Sequence, residues 1–226
     1  MEEVQRSQPG DLPVELIQHI QLLLPVKEAA RTCVLSKTWS HAWSTIPHLR
    51  FHVTSKFRNE EKERSYIKFM DRTMSKYVKD NIPIQSFDLE LTDMKLASLA
   101  FKWIPNVASQ SCFKHLTITI CHNESDSKLI LPDEIFSGKN LHTLSLQDYH
   151  FDPIENISVS LNPVINCVNL RVLELENVEI SEEVLDTLFL TCILLEKIDL
   201  TVHSDMETFK KSLLSSRTEV NNSCTI

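Results

Sequence analysis

Cys112, His115, Cys121 and His122 are side chains of the kind that bind transition metals, and their closeness in sequence makes zinc the first chemistry to weigh. Their C-x2-H-x5-C-H spacing is not a recognised zinc pattern. An alternating strand would also send His115 and Cys121 along its length rather than to one point. The carboxylate pairs Glu60-Glu61 and Glu182-Glu183 suggest acid and base work, but neighbouring acids on a helix are more often solvated faces. Nine histidines and six cysteines are scattered along the chain, with neither a G-x-S-x-G elbow nor an H-E-x-x-H helix. Only two glycines occur in 226 residues, so no glycine-rich loop is available to cradle a phosphate. The expectation is a chain that is not an enzyme, holds no metal and uses no cofactor. Cys167 and Cys192, 25 residues apart and each three residues before a leucine, read as small buried hydrophobes at one repeat position.

With bond chemistry set aside, the residues able to act are apolar ones, and the elements that position them begin at Asp11. From Asp11 to Phe51 the chain shows three short amphipathic helical patterns separated by Pro25, Ser36 and Pro47. In the first, Leu16, Ile17, Ile20, Leu23 and Leu24 form one broad apolar face, with Asp11 as N-cap and Pro13 in the first turn. Pro25 disfavours helical geometry at Leu24 and ends it there. The second places Ala29, Ala30, Cys33 and Val34 on one face, small residues that let a neighbouring helix approach. Ser36 caps the third, whose stripe is Trp39, Ala42, Trp43 and Ile46, closed by Pro47. Of the two tryptophans, Trp43 reads as core and Trp39 as core or partner contact. Roughly forty residues cannot bury this much apolar surface among themselves, so some of it needs a partner.

Residues 52–60 form a polar passage without a firm period. From Glu61 to Val78, the positions Tyr66, Phe69, Met70, Thr73, Met74 and Tyr77 predict a helix packed between two units and coupling them rigidly. Beyond Asn81 a repeat of the form apolar-x-x-apolar-x-apolar recurs. It falls at Ile84-Phe87-Leu89, Phe113-Leu116-Ile118, Leu141-Leu144-Leu146, Leu170-Leu173-Leu175 and Leu195-Ile198-Leu200, with first positions 29, 28, 29 and 25 residues apart. Five matches in near-constant phase indicate short strands stacked in a solenoid, each returning through a segment like the helix predicted from Ser181 to Leu194.

The chain is 42% apolar and 24% charged, which suits one or two globular units rather than disorder. Its amino terminus is acidic and polar where a secretion signal would be basic then apolar, and no apolar run reaches membrane-spanning length. A cytoplasmic or nuclear protein is expected, without a membrane partner. Residues 1–58 hold seven Lys/Arg against five Asp/Glu, and residues 59–226 hold 16 against 26, balances of +2 and −10. An acidic repeat region repels phosphates, which excludes nucleic acid as the expected partner.

Leu12-Pro13, Ile20, Leu24-Pro25, Lys27-Glu28-Ala29-Ala30, Val34-Leu35-Ser36-Lys37 and Trp39, in this order, resemble an F-box of the plant-type F-box/leucine-rich-repeat family. LFLTCILL, from Leu188 to Leu195, is similar to that family's helix-turn-strand junction. The resemblance implies an α+β (α/β) solenoid fold: a three-helix F-box over 11–51, a helical linker over 52–82, and a short leucine-rich-repeat solenoid of about five strands over 83–205. A disordered tail over 1–10 and a carboxyl-terminal tail over 206–226 flank these parts. It further implies a substrate-recognition adaptor of an SCF-type ubiquitin ligase. The F-box would dock on a SKP-type adaptor, and through it on cullin and a RING ubiquitin ligase, using Leu12, Pro13, Leu16, Ile20, Leu24, Pro25, Val34, Leu35 and Trp39. The repeats would present a protein substrate on their concave strand face, where Asp88, Glu90, Thr117, Thr119, Ser145, Glu174, Glu176 and Asp199 are the outward candidates, or plain solvated strand residues. Several are acidic, which favours a basic partner. Some family members bind a small hormone and an inositol polyphosphate, but this chain lacks the inward Lys/Arg cluster a polyphosphate requires. Two other readings stay open. One is a short form without the carboxyl-terminal FBD-type domain, acting as a non-productive competitor or a purely structural repeat protein. The other is a helical stretch that only caps the solenoid.

Overall fold

A computed structural model describes residues 12–53, 60–92, 101–121, 129–149, 157–160 and 163–201. Three short helices open it: α1 (Val14–Leu22), α2 (Val26–Arg31), which tightens into a 3-10 turn over Thr32–Val34, and α3 (Lys37–Ser44). Pro13 lies just outside α1 rather than in its first turn, and its carbonyl accepts from Leu16 N–H and Ile17 N–H, both at 3.1 Å. Asp11, expected as the cap, falls outside the described residues. Pro25 repeats the arrangement before α2, accepting from Glu28 N–H and Ala29 N–H. Proline suits both positions because a helix start leaves its own N–H without a partner. Ser36 caps α3 as expected, its Oγ accepting from Trp39 N–H.

The strand β1 (His48–Val53) follows at once, where the sequence suggested the end of the helical unit and a passage without structure. A 20-residue helix, α4 (Glu60–Lys79), buries Tyr66, Met70, Met74 and Tyr77 on one face, as their spacing predicted. Ile82 N–H bonds back to Tyr77 C=O, and Asn81 closes the turn with a φ of 50°, a conformation asparagine tolerates better than most residues. Then come β2 (Ser86–Leu91), α5 (Ile104–Ala108), β3 (His115–Cys121), β4 (Leu129–Ile130), β5 (Thr143–Tyr149), β6 (Ile157–Ser158), β7 (Val172–Glu176), β8 (Val178–Glu179), α6 (Glu182–Thr191) and β9 (Lys197–Thr201).

Six parallel strands form the main sheet in the order β1-β2-β3-β5-β7-β9, one more than the five triplets, and β4, β6 and β8 form a small second sheet. The register aligns the triplets residue for residue. Leu49, Phe87, Leu116, Leu144, Leu173 and Ile198 make one ladder, and Phe51, Leu89, Ile118, Leu146, Leu175 and Leu200 the next. Ile46-Leu49-Phe51 is thus an additional triplet. Strand periodicity sends these residues into the core and their alternates to the other face. One core runs from Leu49 to Cys192, and a separate small cluster holds Ile17, Trp39 and Ala42 with Val14 packed on it. Cys167 and Cys192 are fully buried with Sγ atoms 3.7 Å apart, occupying the shared repeat position their spacing indicated.

Helix α4 ties the two parts together. Tyr77 Oη donates to Ile46 C=O at 2.9 Å and to Trp43 C=O at 3.3 Å, and Tyr66 Oη accepts from His52 N–H at 3.1 Å. Lys27 Nζ lies 5.7 Å from the centroid of the Tyr66 ring. Among the described residues no helix is long and apolar enough to cross a membrane.

Candidate functional site

The helical unit sorts its apolar residues into two sets by helix geometry. On α1, Ile17 and Gln21, one turn apart, point inward and are 0% and 1% exposed, whereas Leu16 and Ile20 face out at 52% and 37%. The broad face read from the sequence is therefore two faces. Gln21 Nε2 donates to Thr32 Oγ1 at 2.8 Å and Trp39 C=O at 3.1 Å, and Gln18 Nε2 donates to Thr45 Oγ1 at 3.0 Å. These amides fasten α1 to both neighbours where three short helices offer little hydrophobic interior. Sequence reasoning missed them, although Gln18 and Gln21 share the helical face of Ile17.

Each Leu-Pro pair sits just ahead of a helix, and Leu12 and Leu24 stay exposed beside Pro13 and Pro25. The sequence sets Val34 on one helical face with Ala29, Ala30 and Cys33, and the resemblance nominates it for docking. Only Ala29 is buried there; Val34 is 87% exposed and Leu35 58%, because the tightening at Thr32–Val34 rotates them outward. Of the nine residues the resemblance nominates for docking, Leu12, Pro13, Leu16, Ile20, Leu24, Pro25, Val34 and Leu35 are exposed. Trp39 is not. At 7% exposed it packs on Ile17 and Ala42 as core, and Trp43, expected in the core, is half-buried. Leu22 and Leu23, both unnominated, are exposed as well. Eight of the 16 exposed large apolar side chains among the described residues lie between Leu12 and Leu35, a concentration that marks an interaction surface. These side chains stay exposed, while Leu22, Leu23, Leu24 and Pro25 also border β1 across a cleft.

The strand-face candidates are brought together by the parallel register. Asp88, Thr117, Ser145, Glu174 and Asp199 form one row, and Glu90, Thr119, Gln147 and Glu176 a second. Strand β1 adds Arg50 to the first row and His52 to the second. Three acids are already paired: Asp88 with Arg50 Nε at 2.6 Å, Glu90 with His52 Nδ1 at 2.6 Å, and Glu174 with Lys197 Nζ at 2.7 Å. The Lys197 hydrogen bond holds the Glu174 carboxyl below its usual range. Burial, and then the Glu176 carboxylate, raise the Tyr149 phenol. Ser145 is buried at 4% and offers no contact area. A basic partner would have to displace an internal partner at three of the five acids, Arg50 and Lys197 among them, which argues against that expectation.

No group of three or more His, Cys, Asp or Glu among the described residues is arranged to hold a metal ion. His115 and Cys121 stand at opposite ends of β3, Cys112 Sγ donates to Ile84 C=O at 3.4 Å, and His122 lies outside the described residues. Glu182 and Glu183 occupy the first turn of α6 behind the cap Ser181, exposed to solvent.

Comparison with known proteins agrees with this architecture. The family model of the F-box domain matches residues 10–51, and that of the leucine-rich repeats of the FBD-associated F-box protein At5g56370 matches residues 90–221. A putative F-box/LRR-repeat protein At5g41840 of Arabidopsis thaliana is 28% identical over 197 residues, 83% of this chain and 36% of that protein. The F-box/LRR-repeat protein At3g59200 of the same plant is 33% identical over 153 residues, 65% of this chain and 28% of its own length. A putative F-box protein At3g44060, also from Arabidopsis thaliana, is 28% identical over 214 residues, 91% of this chain and 45% of its own. The chain thus spans less than half the length of these curated relatives. No solved structure matches it.

Proposed function

The chain belongs to the F-box/leucine-rich-repeat family, and from that premise we propose that it is a substrate-recognition adaptor of an SCF-type ubiquitin ligase. F-box/leucine-rich-repeat proteins are in general non-enzymatic adaptors, and F-box domains in general bind a SKP-type adaptor protein. The finer reading is that Leu12, Leu16, Ile20, Leu24, Val34 and Leu35, with Pro13 and Pro25, form the surface that meets this adaptor, and through it cullin and a RING ubiquitin ligase. The observation that carries it is the exposed apolar cluster between Leu12 and Leu35, held apart from the solenoid core. Catalysis is indirect: fixing a substrate near a ubiquitin-charged enzyme raises its effective concentration without any bond chemistry in this chain. The strand face beyond β1 is the surface proposed to hold a protein substrate, with Glu176, Asp199, Thr117 and Thr119 as contacts that are neither buried nor tied up in the three ion pairs.

Calorimetry with a purified SKP-type adaptor tests the proposal. The parent should bind, and a folded variant carrying Leu12→Ala, Pro13→Ala and Leu24→Ala should not. A folded parent that fails to bind removes the ubiquitin-ligase reading.

A further inference from the structure

Ahead of the two acidic rows of the strand face, at the strand starts, the sign of charge reverses. The register sets His48, His115 and Lys197 in the first outward row, and Lys114, His142 and Arg171 directly precede β3, β5 and β7. Glu196 is the single carboxylate among the first residues of the six strands and the residues just before them, in a chain of net charge −8. Arg171 is paired with Glu196, and Lys197 with Glu174. That leaves His48, Lys114, His115 and His142, none of which pairs with a carboxylate among the described residues. Lys114 and His115 are exposed and the other two half-buried. The rings of His115 and His142 meet edge to face with centroids 6.4 Å apart, and His48 Nδ1 lies 2.9 Å from the uncharged Ser86 Oγ. Burial, and then the charges of His142, His48 and Lys114, hold the His115 imidazole below its usual range. Like charges gathered without a counter-charge oppose one another, and these groups are not arranged to hold a metal ion.

We propose that this rim binds an acidic peptide segment of a protein partner, laid across the strand starts with its carboxylates against Lys114, His115 and His142. The inference rests on the substrate role proposed for the strand face and adds the chemistry of what that face holds. Parallel strands lie about 4.8 Å apart, so the cluster from β1 to β5 spans roughly 14 Å, the length of about four extended residues. Charge complementarity selects the occupant. Carboxylates supply the counter-charge the four groups lack, through charge-assisted hydrogen bonds. The acids one and two rows further on repel a polyphosphate chain.

The test is fluorescence anisotropy of fluorescein-labelled octaglutamate, octaglutamine, octalysine and oligothymidylate, each titrated at low salt with the full chain and no adaptor. Saturable binding is expected for octaglutamate. Lys114→Gln with His115→Gln and His142→Gln should weaken it about tenfold, the scale of one charge-assisted contact. Lys68→Gln with Lys79→Gln, which takes positive charge from exposed positions of α4, should leave it unchanged. If the triple variant loses the parent's cooperative thermal transition, Lys114→Gln alone should still weaken binding about threefold. Around His115 stand His48, Lys114 and His142, with Ser86 of β2 uncharged and Asp88, a row further on, paired with Arg50. Lowering the pH from about 7.5 to about 5.5 charges imidazoles while glutamate stays ionised. Binding should tighten about threefold over that range, and most of the gain should be absent in His115→Gln with His142→Gln. Octaglutamate bound no better than octaglutamine, tighter binding of octalysine or oligothymidylate, no loss in the folded rim variants, or an equal loss in the α4 variant would each overturn the proposal. A chain that binds the SKP-type adaptor but not octaglutamate keeps the adaptor reading and removes this one.

Discussion

One turn of α1 separates side chains with opposite roles: Ile17 and Gln21 hold the helices together, while Leu16 and Ile20 meet solvent. Stability and partner binding should separate along the same line. Leu16→Glu or Leu35→Glu should move the stability of the free chain by no more than about 0.5 kcal/mol, as exposed sites generally do. Each should weaken adaptor binding by about 2 kcal/mol, roughly thirtyfold; urea denaturation and calorimetry on the same samples check both. Trp39→Ala should behave in the reverse way, costing about 3–5 kcal/mol of stability as a buried aromatic does, and Trp43→Ala distinctly less. This contrast was not legible in the sequence. Trp39 and Trp43 lie on one helical stripe, and periodicity says that a stripe is covered without saying which tryptophan is covered more. The separation of Val34 from buried Ala29 has a related cause: a turn that tightens from α to 3-10 geometry shifts every later side chain around the axis.

At the scale of the element, α4 is a strut fastened to the helical unit through the Tyr77 hydroxyl. Loss of that hydroxyl in Tyr77→Phe should cost roughly 0.5–1.5 kcal/mol at neutral pH, the usual net value of a hydrogen bond. Burial pushes the Tyr77 phenol well above its ordinary range. A group whose folded pKa is raised contributes stability that is full below the unfolded value, about 10 for tyrosine, and is lost as pH rises beyond it, because only the unfolded chain then releases the proton. The stability gap between parent and Tyr77→Phe should therefore narrow above about pH 10, which thermal unfolding at neutral and alkaline pH can follow. The elements themselves were legible wherever a period was sustained. Tyr66, Met70, Met74 and Tyr77 marked α4, and the recurring triplets marked β2, β3, β5, β7 and β9 in register. Strand β1 was not legible, because the intervening α4 sets Ile46 far ahead of Ile84 and breaks the phase of 25–29 residues kept by later repeats.

Across the whole molecule, the ladder from Leu49 to Ile198 makes every repeat depend on its neighbours, and α4 extends that dependence to the helical unit. Phe87→Ala, in the second rung, should cost about 3–5 kcal/mol and lower the thermal transition of strands and helices together. Two separate transitions, seen by circular dichroism and tryptophan emission, would count against a rigid coupling. Two surfaces then stand in fixed relation, an apolar one on the helices and a polar, largely self-paired one on the strands. Hydrogen exchange of the full chain with and without a SKP-type adaptor addresses this division most directly. The account predicts slowed exchange for amides between Leu12 and Leu35, with β2, β3, β5 and β7 unchanged. Protection concentrated on those strands, or no protection at saturating adaptor, would contradict it.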